Sequence, residues 1–179
     1  MRIGVFCSAS TSVSPMLLAE AELLGENLAK DGHAIVYGGA HCGCMGAVAK
    51  GVLRMKGELI GVVPEMDFMN DWVQPGLSKQ FVVPTLSSRK DVMLRESDAF
   101  IVYPGGLGTL DEAFEAMALK SIGTLRKPII FYNFLGVWTP VLEALDLLAS
   151  QNFIGGNLSD LFHVVDKQEQ IREHLVNVL

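Results

Sequence analysis

The sequence predicts an α/β fold, a doubly wound parallel sheet with helices on both faces. Short apolar runs alternate along the chain with segments of helical periodicity. Those runs are solidly apolar rather than alternating in and out, which marks strands buried on both sides. Glycine-rich breaks follow several of them and lead into the next helix.

The first strand is Ile3-Gly4-Val5-Phe6-Cys7, closed by the polar turn Ser8 to Ser12. Ser14-Pro15 then supplies an N-cap and a first-turn proline. Leu17, Ala21, Leu24 and Leu28 repeat at helical spacing until Gly32 stops the helix. Ala34 to Tyr37 is the second strand, broken by Gly38-Gly39, and a helix spans Met45 to Lys56. Leu59 to Val63 is the third strand, ended by Pro64. Residues 65 to about 80 have no clear period and contain Pro75-Gly76, which predicts a long loop. Phe81 to Val83 is a short strand before Pro84, Leu86 to Ser97 a helix, and Ala99 to Tyr103 a strand. A helix from about Leu110 to Ser121, a strand from Pro128 to Tyr132 and a helix from Trp138 to Ser150 follow. Phe162 to Val165 is read as the last strand and Gln168 to Val178 as the closing helix.

The 179 residues, read as the single domain 1–179, give room for a substantial core. Half are apolar and 19% are charged. That balance favours a homo-oligomer in which an apolar face is covered by a second copy. The net charge of −6 gives no basic field for a nucleic-acid partner. Three cysteines without CxxC spacing argue for a reducing compartment. No signal peptide is recognised, and no apolar run approaches a membrane span. The reading is a cytoplasmic protein with no nucleic-acid or membrane partner.

In folds of this type ligands bind beyond the carboxyl ends of the strands. Three loops reach that end: Ser8 to Ser12, Gly38 to Gly46, and Pro104 to Thr109. Ser8 and Gly39 in the first two are candidate substrate contacts. The third belongs to Pro104-Gly105-Gly106-Leu107-Gly108-Thr109-Leu110-Asp111-Glu112. Glycines after a strand let backbone N–H groups turn toward an anion, and the helix that follows adds its positive end. The plainer alternative is a tight turn in which Thr109-x-x-Glu112 is only a capping box.

Three other groups compete for a role. The Gly38 to Gly46 loop is read as a second backbone wall around a nucleotide, although His41, Cys42 and Cys44 admit a metal reading. Their spacing does not match usual zinc sites, and the thiols serve equally as soft packing groups. Arg89, Lys90 and Arg95 form a basic cluster that is either a phosphate grip or a solvated helix face. Glu112 and Glu115 share a helix face and suit water activation or stabilisation of a developing cation, against capping and solvation. No cofactor or metal is called for, and no motif marks a lysine for pyridoxal phosphate.

Arg89-Lys90 followed by Pro104-Gly105-Gly106-x-Gly108-Thr109-x-x-Glu112 resembles the LOG family of cytokinin-activating phosphoribohydrolases, many labelled "lysine decarboxylase-like". The resemblance extends to Cys7-Ser8-Ala9-Ser10, Gly38-Gly39, Met45-Gly46, Gly61-Val62-Val63-Pro64 and Ser97-Asp98-Ala99-Phe100-Ile101. It implies a Rossmann-like fold that assembles as a dimer or larger homo-oligomer. It also implies cleavage of a nucleoside 5′-monophosphate, cytokinin riboside monophosphate or AMP, to free base and ribose 5-phosphate. Arg89 and Glu112 match catalytic positions. Lys90, Gly105, Gly106, Gly108, Thr109 and Glu115 match binding positions, and Asp71 matches an acidic substrate contact. Ser87, Ala40 and Ala118 depart from the usual pattern around the base and sugar. The competing reading is a carrier that binds a nucleotide or molybdenum cofactor without cleaving it.

Overall fold

The computed structural model describes residues 1–65 and 71–176. Seven strands form one parallel sheet, β1 (Arg2–Phe6), β2 (Ala34–Tyr37), β3 (Leu59–Pro64), β4 (Lys79–Val83), β5 (Ala99–Val102), β6 (Ile129–Tyr132) and β7 (His163–Val165), in the order β4-β3-β2-β1-β5-β6-β7. The helices between them are α1 (Pro15–Lys30), α2 (Gly43–Arg54), α3 (Leu86–Glu96), α4 (Leu107–Ser121), α5 (Thr139–Ser150), the short α6 (Leu158–Leu161) and α7 (Gln168–Val176).

Alternate residues of each inner strand feed two separate cores. Ile35 and Tyr37 of β2, with Ile101 of β5, pack among Leu24, Leu28, Val48, Val52 and Ile171 of α1, α2 and α7. Val36 and Phe100 of the same strands pack among Val92, Met93, Ala113, Met117 and Leu145 of α3, α4 and α5. Helices on both faces explain why the strands read as unbroken apolar runs.

α1 and α2 touch backbone to backbone. A Cβ on Gly51 would lie 2.0 Å from the Glu22 carbonyl oxygen, and one on Gly25 would lie 2.3 Å from that of Val48. This close approach fixes the start of α2 and hence the loop before it.

Several boundaries shift from the sequence reading. β4 starts at Lys79 because Lys79 and Gln80 pair with Ile60 and Gly61 of β3. Both are exposed at the sheet's edge, so their polarity hid them. α2 and α4 begin earlier, at Gly43 and Leu107, and α6 is an added turn. Residues 66–70 of the long loop, and 177–178 of the closing helix, lie outside the described residues.

β1 lies between β2 and β5, so the chain winds one way from β1 to β4 and the other way from β5 to β7. Loops leaving β1 and β5 at their carboxyl ends therefore diverge and leave a crevice. No helix among the described residues is long and apolar enough to cross a membrane.

Candidate active site

The crevice is a cleft of about 280 Å³ lined by Cys7, Ser8 and Ala9 after β1, Met45 of α2, Arg89 of α3, and Gly106, Leu107, Gly108, Thr109 and Glu112 of α4. One wall is the start of α4. Gly106 is its N-cap and has no side chain to satisfy the first turn. The first bond within the helix runs from the Leu110 N–H to the Gly106 carbonyl at 3.0 Å. The amides of Leu107, Gly108 and Thr109 precede that bond and are the helix's free donors.

The three glycines beside this wall have different reasons to be glycine. A Cβ on Gly105 would sit 2.1 Å from Thr109 Oγ1, so Gly105 makes room for the threonine hydroxyl. Apart from its immediate neighbours along the chain, a Cβ on Gly106 or Gly108 would meet no atom of the described residues within 4 Å. Nothing in the fold requires those two to be bare. What their bareness leaves open is the approach to the helix end.

The floor is an ion pair. Thr85 caps α3, accepting from the Ser88 N–H at 3.0 Å, and so orients the first turn that carries Arg89. Arg89 Nη2 donates to Glu112 Oε1 at 2.8 Å. The guanidinium crosses Gly38, where a Cβ would stand 2.2 Å from Nη2. Its Nε is buried without a partner. Glu112 is 5% exposed. Burial pushes its carboxyl up to about 7; Arg89 and, more weakly, Lys90 pull it down, while Asp111 adds to the rise.

Thr109 is therefore not the cap of α4, and no capping box forms: Glu112 faces Arg89 from the second turn. Beside the pair, burial pushes the Cys7 thiol well above its ordinary range, with Cys44 and Glu112 adding to the rise and Arg89 opposing it. A wider groove of about 440 Å³ lies at the far end of α4, around Lys120, Arg126 and Asp160, away from every motif residue.

A family model described as "Possible lysine decarboxylase" matches residues 45–175. A cytokinin riboside 5′-monophosphate phosphoribohydrolase of Mycobacterium tuberculosis is 34% identical over 164 residues, 92% of this chain and 87% of that one. One of Rhodococcoides fascians is 33% identical over 153 residues, 85% of this chain and 77% of that one. The chain belongs to the LOG family. The structure of the molybdenum cofactor carrier protein of Chlamydomonas reinhardtii superposes with a TM-score of 0.74 over 99% of this chain and 96% of that one. At 23% identity that match speaks for the Rossmann-like fold alone.

Within this LOG-family cleft the structure gathers Ser8, Arg89, Gly106, Gly108, Thr109 and Glu112 of the residues singled out from sequence. Ser8 accepts from the Ser10 N–H at 3.0 Å through its hydroxyl and from the Met45 N–H at 3.1 Å through its carbonyl. Gly105 stands behind Thr109. Lys90 is held by Asp111 at 2.8 Å and by Glu115 at 2.5 Å, outside the lining. These three tie α3 to α4 next to Arg89 and Glu112.

Gly39 is also outside the lining. Its φ of +80° and its contact with the Val63 side chain require glycine. Its carbonyl accepts from the Gln74 N–H at 2.8 Å, and the His41 N–H donates to the Trp72 carbonyl at 2.8 Å. Residues 72–74 thus engage the Gly39 carbonyl and the His41 N–H of this loop. Asp71, next to Trp72, is exposed and does not line the cleft.

Sequence reasoning missed Cys7, Ala9, Met45 and Leu107 as lining. Cys7 ends an apolar run and reads as core, and Met45 reads as one more helix residue. Leu107 occupies the variable place in the glycine motif, and its 86% exposure is visible only in the fold.

Proposed function

We propose that this protein hydrolyses the N-glycosidic bond of a nucleoside 5′-monophosphate, AMP or a cytokinin riboside monophosphate, giving free base and ribose 5-phosphate. The observation that carries the reading is Glu112: a carboxylate 5% exposed, one oxygen on Arg89, at the foot of an uncapped helix end. The names of the relatives point to the same reaction.

The phosphate takes the Leu107, Gly108 and Thr109 amides and the Thr109 hydroxyl, favoured by the positive end of α4. Anchored there, it orients the ribose toward Glu112 with binding energy remote from the reacting bond. Breaking C1′–N leaves positive charge on the sugar, and a carboxylate facing C1′ stabilises it. Arg89 holds Glu112 in place and offsets its repulsion of the phosphate. A carrier would gain from the helix end but not from Glu112, whose charge opposes an anionic ligand. Glu112 thus favours catalysis over carriage.

The reading extends to a cytoplasmic homo-oligomer that engages neither nucleic acid nor membrane. Leu107, Phe114 and Ile122 are exposed along α4, as are Leu147 on α5 and Phe153 just after it, an apolar surface suited to a second copy. Light scattering after gel filtration reads the assembly directly. The test of activity is incubation with AMP, other nucleoside monophosphates and isopentenyladenosine monophosphate, scored for free base. Cleavage that Glu112→Gln abolishes is expected. Binding without cleavage across the panel would overturn the proposal in favour of a carrier.

A further inference from the structure

Glycoside hydrolysis by a water held between two carboxylates needs the second carboxyl on the opposite face of the sugar, roughly 6.5–9.5 Å from the first. Here, among the described residues, the lining includes one carboxylate, Glu112. Asp111 and Glu115 of the same helix turn out of the cleft onto Lys90. Arg89 holds Oε1 of Glu112, which leaves Oε2 as the carboxylate oxygen outside that ion pair. The cleft, about 280 Å³, stands at the small end of ligand sites, which span roughly 300–1,000 Å³. A nucleotide that fills it leaves little room for a positioned water behind the ribose.

From this geometry we propose that Glu112 Oε2 attacks C1′ itself, so that the protein is also a phosphoribosyl transferase able to pass the sugar to acceptors other than water. The inference rests on the phosphoribohydrolase reading. In the first step the Oε2–C1′ bond forms and the C1′–N bond breaks. The base leaves with that electron pair and takes a proton from solvent. In the second step a nucleophile attacks C1′, the ester bond breaks, and its electrons return to Glu112. Water as nucleophile gives ribose 5-phosphate, an alcohol gives an alkyl riboside phosphate, and a second base gives a new nucleotide. The acceptor's proton goes to solvent in each case. No oxidant or reductant enters. Two inversions at C1′ make the overall result retention. Burial favours this role, because a carboxylate that holds its proton up to about 7 is more basic, hence more nucleophilic, once ionised.

The test uses the full chain with AMP, or whichever member of the substrate panel is cleaved, in the presence of methanol, and separately with radiolabelled free base. The expected products are the methyl β-riboside 5-phosphate, identified by proton NMR, and labelled nucleotide that accumulates during turnover. Glu112→Gln loses both along with hydrolysis. Hydrolysis with only the α-methyl riboside, or with no methyl riboside and no label in the nucleotide, overturns the transfer proposal and leaves the hydrolase reading standing. Absence of cleavage of every substrate overturns both.

Discussion

Gly108→Ala separates what the fold needs from what a phosphate needs. Apart from its immediate neighbours along the chain, a Cβ at this position meets no atom of the described residues within 4 Å, and its φ lies outside the left-handed region. Alanine is the better helix former by about 0.5–1 kcal/mol in a helix interior, and less is expected in a first turn. For a chain of this size 1 kcal/mol moves Tm by about 2–4 °C, so Tm should hold or rise slightly. The methyl group, however, projects into the space through which an anion would reach the amides of α4. Loss of one charged hydrogen bond there costs about 1.5–3 kcal/mol, or roughly 10- to 150-fold in affinity. Thermal denaturation read beside KM for the cleaved nucleotide makes the comparison. A variant with unchanged Tm and unchanged KM would refute the assignment of this helix end to phosphate. Gly105→Ala is the contrast within the same motif. Its Cβ would collide with Thr109 Oγ1 at 2.1 Å, so it should lower Tm as well as activity.

Because burial holds the Glu112 carboxyl at about 7, kcat/KM should rise with pH through that value as the carboxylate forms. A carboxyl pKa raised on folding lends stability below its ordinary 4.5 and loses it as pH climbs through about 7, a gap worth about 3 kcal/mol. Denaturant titrations should therefore show wild type losing up to about that much relative to Glu112→Gln between pH 5 and 8; parallel curves would contradict the shift. Arg89→Met removes the partner that pulls this carboxyl down, so any residual pH–rate midpoint should move to higher pH, and a downward move would be inconsistent with the ion pair. Lys90→Met should leave nucleotide binding within a few-fold and cost about 1 kcal/mol or less, since Lys90 pairs with Asp111 and Glu115 outside the cleft. A large KM increase from that variant would instead make Lys90 a substrate contact.

The α/β class was legible because strands buried on both faces must be apolar throughout, and Ile3 to Phe6, Ala34 to Tyr37 and Ala99 to Val102 are. The glycine loop was legible too, since a strand, a cluster of three glycines and a helix stand together in the chain, although Gly108 proves to lie inside the first turn of α4. β4 was half hidden, because Lys79 and Gln80 owe their place to pairing with β3 and not to burial. Lys90 and Glu115 were singled out because they match family binding positions, and the string could not show that they pair with each other. Here both residues reach α4, but Lys90 ends on Asp111 and Glu115 outside the cleft while Arg89 passes over Gly38 to Glu112 within it.

The sequence by itself determined the parallel sheet and the glycine-rich turn before α4, and its family resemblance singled out Arg89 and Glu112. Tertiary structure alone decided where Glu112 sits and what it touches. Its position in the string fits a helix cap as well as a catalyst, and local geometry cannot separate the two. Only the start of α4 at Leu107 takes it off the cap, and only packing at the junction of β1 and β5 leaves it 5% exposed against Arg89. Burial and charge are properties of neighbours far apart in the chain. That is why the residue could be named from the sequence, but its protonation and its reach into the cleft could not.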